Sequence, residues 1–501
     1  MCEEEKSLLT FETLVHAVGG KRIGKGGESK LCFTSVATDS RNVRRNSLFI
    51  PLIGQNQDGH KFIGQALSAG ACAVFVTKSV YENSSREYDS LAEKNPDKFF
   101  IAVENNLRAL QDAARAYAEK FPSLIKIGIT GSSGKTTTKE ILSSVLSQKF
   151  RVVSTLGNLN SESGLPLSVF EIRREHEAGV FEMGMNRENE IAEIASVLRP
   201  NLAIVTNVGT AHIGILKTRE KIAAEKKNIF SYVTESGAAF IPEDDAFADF
   251  LGMSVHGKVV RFGENSAKKF GVEFLEDLGI DGTRFKVDGI ETCLKIPGRH
   301  NFQNALSCVA LAKELGLSAR EIVRGIENVK LPEGRSQVKE MRVKGGARIF
   351  LMQDCYNANP ESMKKALEFC SALKISGRKF LALGDMKELG GHSEEEHARV
   401  GEAAARCGSS FVFFAGSEMR AAFDAAKKFC AKSSCEVSMR YFSGEENYIR
   451  EICRAILAEI RDDDFLLLKA SHSMEFEKIA EGLSDTQNTA RGVEGIRNGR
   501  L

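Results

Sequence analysis

The sequence predicts an α/β protein of three domains, and three observations carry that prediction. Its 501 residues exceed what a single hydrophobic core organises, about 250–300 residues. Apolar strand-like runs alternate with helical patterns along most of the chain, the signature of mostly parallel sheets covered on both faces. Two interruptions, Phe121-Pro122-Ser123 and LPEGRSQ (331–337), break the alternation into three parts. The expected units are residues 1–121, 122–331 and 332–484, followed by a polar tail, 485–501, that lacks periodicity and is expected to be mobile.

In the first unit, SLFIPLIG (47–54) and ACAVFVTK (71–78) are the clearest strands, with the helical stretch HKFIGQALSAG between them. NNLRALQDAARAYAEK (105–120) carries apolar residues at helical spacing and ends at the Phe-Pro-Ser stop. The second unit opens with the strand IKIGIT (125–130), leading into GSSGKTTTKEILSSVLSQ. RVVSTL, AGVFEMGM, NLAIVTNV and GAAFIPED follow as strands, and ENEIAEIASVL and REKIAAEKKNIFSYV lie between them as helices. A ligand of such a sheet belongs at the carboxyl ends of its strands. The third unit resumes the alternation with ARIFLMQDCY, RKFLALGDM, SFVFFAG and DFLLLKAS as strands.

Composition excludes several classes of partner. Hydrophobic residues make up 42% and charged residues 27%, as in ordinary globular proteins. Lys+Arg 68 against Asp+Glu 67 leaves a net charge of +1, which offers no electrostatic case for nucleic acid or a membrane surface. No apolar run approaches the roughly 20 residues that span a bilayer, so membrane insertion is not expected. The acidic start MCEEEKSLLTFETLV lacks the regions of a signal peptide, which points to the cytoplasm. The 11 cysteines form no CxxC pair; the closest two are Cys430 and Cys435, with no His at zinc spacing. Free buried thiols in a reducing compartment are the expectation.

The strongest chemical signal is I-T-G-S-S-G-K-T-T, placed after an apolar strand and before a helix. Thr130, Gly131, Ser132, Ser133, Gly134, Lys135, Thr136 and Thr137 form the expected phosphate loop. Its two glycines let backbone N–H groups turn inward onto phosphate oxygens, and the helix N-terminus adds its dipole. Lys135 supplies a point charge for β/γ-phosphates and the Thr136 hydroxyl suits Mg²⁺. The spacing is shorter than GxxxxGK[ST], and the competing reading is a Gly/Ser turn that merely caps a helix.

Glu182 and His212 end or follow strands, so both belong at the ligand-binding edge. A carboxylate there can hold Mg²⁺, although Glu182 alone could equally cap a helix and His212 could be a hydrogen-bonded structural residue. On spacing alone, Lys226 is one of several solvated lysines on a helix. His300, Asn301 and Asn304 sit at a helix start, where Asn301 could be an N-cap. Arg335 and Asp354 flank the second boundary, where an interdomain cleft would lie; Arg pairs bidentately with phosphate, and a plain salt bridge between the two is the alternative.

Taken in order, TGSSGKTT, GNLNSESGLP, FEMGM with NEI, NVGTAHIG, IAAEKKNIF, PGRHNFQNAL, DCYNANPESM and LGDMKELGGHSEEEH resemble the Mur ligases, from TDSR (38–41) to KASHSMEFEKI (469–479). The resemblance implies an N-terminal α/β domain holding the UDP end of the substrate, a central P-loop ATPase-like domain and a C-terminal Rossmann-like domain. YNANPESM and LGDMKELG imply the branch that ligates D-Ala-D-Ala to UDP-N-acetylmuramoyl-tripeptide. The peptide carboxylate would attack the γ-phosphate of ATP, and the dipeptide amine would then displace phosphate from the acyl phosphate. That chemistry brings anions together, so positive charge from Lys135, Arg335 and Mg²⁺ is needed between them. The implied product is the pentapeptide precursor of peptidoglycan, which places the enzyme in cell-wall synthesis, cell shape and division.

By resemblance, Thr136 and Glu182 help hold magnesium, His212 is a ligand of a second ion, and Lys226 matches a lysine that is carboxylated to a carbamate. Asn301 and Asn304 match nucleotide-side residues, Arg335 the γ-phosphate side, and Asp354 a residue near the ribose. Asn158 and Asn160 match the loop facing the muramoyl-peptide. Tyr356, Asn357 and Asn359 fall where the incoming amine is selected, and Asp39, Ser40 and Arg41 lie toward the UDP moiety. A monomer is expected. The chain departs from the family's usual pattern at Ser161, Asn228, Ala470 and His472, the last putting a C-terminal Arg contact in doubt. The third residue of the accepted peptide is not legible. The rival readings are another ligase of the superfamily, adding a single amino acid or acting like folylpolyglutamate synthase, and a non-catalytic nucleotide switch.

Overall fold

The computed structural model describes residues 7–24, 33–54, 57–433 and 435–485, so all but the first residue of the polar tail lies outside the described residues. Within that span the chain folds into mixed α/β units built on three large sheets. The first sheet has five strands in the order Lys21–Ile23, Phe99–Val103, Ala71–Thr77, Ser47–Phe49 and Ser35–Ala37. Only its first pair is antiparallel. Ala71–Thr77 is buried at every position, as expected of a parallel strand covered on both faces. SLFIPLIG pairs only over Ser47–Phe49, because the chain turns away at Pro51. The helix Asn106–Ala118 begins where the Asn105 side chain accepts from Arg108 N–H, and its Ala/Leu face is buried.

The second sheet is wholly parallel, in the order Lys258–Phe262, Ala238–Pro242, Leu202–Val205, Ile125–Thr130, Ala178–Glu182 and Val152–Ser154. From the central strand Ile125–Thr130 the chain moves first to one side and later returns to the other. The strand order therefore reverses beside that strand, and the crevice of an open parallel sheet opens at such a switch point. The helices Lys135–Leu146 and Arg299–Glu314 cover one face through a core that includes Ile129, Leu142, Phe240, Phe302 and Leu306.

A three-stranded antiparallel sheet, Val272–Asp277, Thr283–Val287 and Ile290–Leu294, packs against the same core and was not anticipated. Its strands are half-exposed and rich in charge, so no continuous apolar run marks them. Asp288-Gly289 closes its hairpin with both residues at positive φ, the geometry that Asp-Gly favours.

The third sheet runs Gln337–Arg342, Arg348–Asp354, Phe465–Lys469, Lys379–Gly384, Phe411–Ala415 and Ser438–Phe442. Its first strand is an antiparallel edge and the rest are parallel. Buried apolar packing is continuous from Leu110 in the first unit through Ile191 to Met363 and Leu383 in the third.

One expectation fails. Cys430 and Cys435 are joined in a disulfide rather than free, because the end of the helix Met419–Ser433 and the returning segment bring their Cα atoms to 4.8 Å. The seven other described cysteines are free, six of them buried. Among the described residues no helix is long and apolar enough to cross a membrane.

Candidate active site

The strand Ile125–Thr130 ends in the loop 131–134, which turns directly into the helix Lys135–Leu146. Gly134 has φ 81°, and a Cβ there would come to 2.8 Å from Asn304 Oδ1, so both its conformation and its space call for glycine. The outer side of the loop is pinned by the next strand's end. Thr206 Oγ1 and Asn207 Nδ2 donate to Ser133 O at 2.6 and 2.9 Å, and Ser133 N–H donates to Asn207 Oδ1 at 3.1 Å. Gly209 N–H donates to Ser132 Oγ at 2.8 Å. A loop held this way has its first helical N–H groups pre-oriented toward the cavity.

Lys135 lies inside, its Nζ donating to Gly131 O at 2.8 Å. Burial lowers its pKa, with Glu182 opposing and Arg335 adding to the effect. Thr136 Oγ1 donates to Glu182 Oε2 at 2.9 Å, while Asn160 Nδ2 donates to Glu182 Oε1 at 2.7 Å. Glu182 is therefore not a helix cap. It is buried at a strand end, with its backbone N–H held by Thr155 Oγ1 at 2.9 Å.

His212 adopts φ 66° at the start of a short helix, and its Nδ1 lies 2.7 Å from Glu388 Oε2 of the third unit. The approach is close in distance but not directed as a hydrogen bond, and among the described residues Nδ1 has no other acceptor. Burial, then Lys226 and Lys135, lower the imidazole pKa against the pull of Glu388. Lys226 is 1% exposed, so the solvated-lysine reading fails. Its amine makes no hydrogen bond or ion pair among the described residues, and burial followed by repulsion from Lys135 holds its pKa well below that of an ordinary lysine.

The helix Arg299–Glu314 is capped by Gly298, not by Asn301. Asn301 Nδ2 instead donates to Pro297 O at 2.7 Å, and its Oδ1 accepts from Asn304 Nδ2 at 3.1 Å. His300 beside them has its pKa lowered to about 3 by burial and by Lys365 and Lys469, against Asp354.

Arg335 and Asp354 do not pair. Arg335 stacks at 4.0 Å over the Tyr356 ring, which in turn stacks on His472, while Asp354 pairs with Lys469 at 2.5 Å. Among the described residues Arg335 makes no ion pair, and it is positioned through its face.

These groups line one cavity of about 410 Å³ between the second and third sheets. Ser132 to Thr137, Asn158, Asn160, Glu182, His212, Asn301, Arg335, Asp354, Tyr356, Asn357 and Asn359 all reach it. Lys226 and Asn304 lie behind its wall, buried. Asp39, Ser40 and Arg41 lie elsewhere, in the first unit: Asp39 caps the turn Ser40–Asn42 and pairs with Arg41, and Ser40 Oγ donates to Gln65 Oε1 at 3.0 Å. Among the departures, Ser161 Oγ accepts from Gly164 N–H at 3.2 Å, Asn228 begins the 3₁₀ turn after the Lys226 helix, and Ala470 is fully buried.

Of the groups that reach across from the third unit, sequence reasoning named Asn359 but missed Glu361 and Lys365. Glu361 Oε1 accepts from Thr210 N–H at 2.6 Å and from its hydroxyl at 3.1 Å. Asn359 Nδ2 donates to Ser132 O, and Lys365 Nζ to Ser133 Oγ, each at 3.1 Å. Glu361 and Glu388 fall inside the quoted motifs NANPESM and LGDMKELG, but local sequence carries no sign of their distant partners. Among the described residues no cluster of three or more His, Cys, Asp or Glu side chains stands at metal-binding spacing.

Family profiles match all three units. They are described as Mur ligase family, catalytic domain, at residues 33–118; Mur ligase middle domain, at 129–312; and Mur ligase, glutamate ligase domain, at 334–472. A Treponema pallidum (strain Nichols) protein named UDP-N-acetylmuramoyl-tripeptide–D-alanyl-D-alanine ligase is 42% identical over 94% of this chain and 98% of its own length. A Bacillus subtilis (strain 168) protein of the same name is 31% identical over 90% and 93%. The crystal structure of MurF from Acinetobacter baumannii superposes with a TM-score of 0.79 at 27% identity, covering 94% of this chain and 98% of that one. MurF ligase from Thermotoga maritima, solved in complex with ADP, gives 0.71 at 27% identity over 89% and 96%. With all three units matched in order and the whole fold shared, the chain belongs to the Mur ligase family.

Proposed function

We propose that the protein is an ATP-dependent ligase that joins D-alanyl-D-alanine to UDP-N-acetylmuramoyl-tripeptide through an acyl phosphate, making the pentapeptide precursor of peptidoglycan. One observation carries this reading: Lys135, the Thr136–Glu182 pair, His212 and Arg335 converge on a single cavity between two sheets. Relatives that share 42% and 31% identity over nearly the full chain carry that activity in their names. The proposed setting is a monomer in the cytoplasm.

The loop N–H groups and Lys135 bind and orient the phosphates of ATP, with Asn301, Asn304 and Asp354 on its nucleoside side. Lys135 leaves Gly131 O for the β/γ-phosphates, and Arg335 faces the γ-phosphate with its stacked plane already fixed. Asn158 and Asn160 face the muramoyl-peptide, whose carboxylate attacks phosphorus. Tyr356, Asn357 and Asn359 face the dipeptide, whose amine attacks the acyl carbon and expels phosphate. Asp39, Ser40 and Arg41 belong to the UDP end.

The Thr136–Glu182 pair fits magnesium. Both are hard oxygen donors of the type that would hold Mg²⁺, brought together at 2.9 Å in a buried pair. Held by these two residues, magnesium would supply positive charge to the phosphate oxygens. His212, neutral by burial, is fit to hold a second ion. Burial and repulsion from Lys135 lower the Lys226 pKa, which favours its free-amine form, the form that reacts with CO₂, so Lys226 fits conversion to a carbamate.

Phosphate release from ATP should require both UDP-muramoyl-tripeptide and D-Ala-D-Ala. Release with D-Glu or L-Ala in place of the dipeptide would move the protein to another branch of the superfamily. Release with no acceptor would make it a simple ATPase.

A further inference from the structure

We infer that Lys365, on the helix Pro360–Ala372 of the third unit, is a phosphate ligand of the nucleotide, delivered across the unit boundary onto the loop that holds Lys135. The inference rests on the nucleotide reading of that loop. The helix meets the loop through its first two turns: Asn359 caps it and donates to Ser132 O, and Lys365 donates to Ser133 Oγ at 3.1 Å. Lys365 lines the same cavity as Lys135, Arg335 and His300.

The ammonium is under-satisfied where it stands. It carries three donors and uses one, on a neutral hydroxyl that already accepts from Asn207 Nδ2 at 3.2 Å. No carboxylate lies within ion-pair distance of it among the described residues. Glu361, one turn away on the same helix face, has its Oε1 committed to Thr210 and its Oε2 buried without a hydrogen-bond partner, but beyond ion-pair distance of Lys365, and Glu368 pairs outward with Lys364. Lys365 is half-buried and lines the cavity, and its one fixed contact there is a neutral hydrogen bond worth about 1 kcal/mol. A plain interdomain contact to Ser133 would need only an amide or a hydroxyl. A polyanion on the adjacent loop satisfies the two remaining donors and the charge together. Burial also lowers the pKa of Lys365, against Glu361, Glu368 and Asp245.

The test is calorimetric titration of the full-length protein with ADP and with adenosine, for wild type, Lys365→Met and Lys365→Arg. Methionine keeps the length and apolar stem of the side chain. Losing one charge-assisted phosphate contact should weaken ADP binding roughly 10- to 100-fold in K365M. Adenosine affinity should hold, and K365R should recover most of the loss. K365M binding ADP within about twofold of wild type would overturn the assignment, as would equal losses for ADP and adenosine, which mark a structural role. Wild type failing to bind ADP would defeat the nucleotide reading instead. Should K365M not fold, Lys365→Gln, which keeps a donor for Ser133, is judged by the same outcomes.

Discussion

Thr136 at the first turn of the loop helix and Glu182 at the end of the neighbouring strand meet at 2.9 Å, hydroxyl to carboxylate. Both are buried, and Glu182 is held from its other oxygen by Asn160 at 2.7 Å. Two separate elements thus place two hard oxygen donors beside Lys135 before any ligand arrives. Thr136→Val keeps the shape and removes the donor. We expect phosphate release to fall about 10²–10³-fold, with a higher Mg²⁺ concentration needed for half-maximal rate. An unchanged magnesium titration would detach Thr136 from the metal.

The second and third units meet at Gly214. A Cβ there would lie 2.6 Å from Glu388 O and 2.7 Å from Gly390 N, both backbone atoms of the loop that carries the His212 partner. Backbone gives way only by moving the whole loop. Gly214→Ala should therefore lower kcat/KM for both substrates by at least about 10-fold by holding the units apart. ADP affinity should fall as well, because Lys365 reaches the loop only across that boundary, while the melting temperature should stay near wild type. Full activity in this variant would mean that catalysis does not need the close approach seen here.

Lys226 is buried beside Lys135 and makes no ion pair among the described residues. A carbamate on its amine replaces a cation by an anion, and a small carboxylate can occupy the same place once the side chain is gone. Lys226→Ala should lose about 10²-fold or more in rate, and added formate or acetate should restore part of it. An alanine variant as active as wild type without either anion would sink the carbamate.

His300 should set a pH-dependent stability. Its folded pKa is lowered to about 3 from 6.5 by burial and by Lys365. Between those values the unfolded chain binds a proton that the folded chain does not, so stability falls as pH drops through that window. His300→Gln should melt at nearly the same temperature as wild type above pH 6.5 and lose less on acidification toward pH 4. Melting curves across that range give the comparison, and parallel losses in the two proteins would contradict it.

The phosphate loop was legible because its physics is local. An apolar strand, two glycines, Lys-Thr and a helix start suffice, and Glu182 and His212 followed from their positions at strand ends. What stayed hidden depends on contacts far along the chain. Glu361 finds Thr210 across 151 positions and Lys365 finds Ser133 across 232. Spacing alone misassigned Lys226 as a solvated lysine, because the helix Arg219–Lys227 is charged on most of its surface and only packing shows which lysine turns inward. The Asp288-Gly289 hairpin was a readable signal that went unused, since charged, half-buried strands on either side diluted it.

The most direct test of the central claim follows one oxygen atom. UDP-muramoyl-tripeptide labelled with ¹⁸O in the reacting carboxyl is incubated with ATP, Mg²⁺ and D-Ala-D-Ala, and the released phosphate is weighed by mass spectrometry. If the carboxylate attacks the γ-phosphate and the amine then displaces phosphate from the acyl carbon, the bridging oxygen leaves with phosphorus. Each phosphate should then carry one ¹⁸O. Unlabelled phosphate released in step with pentapeptide would contradict the acyl phosphate, and with it the role assigned to the cavity around Lys135.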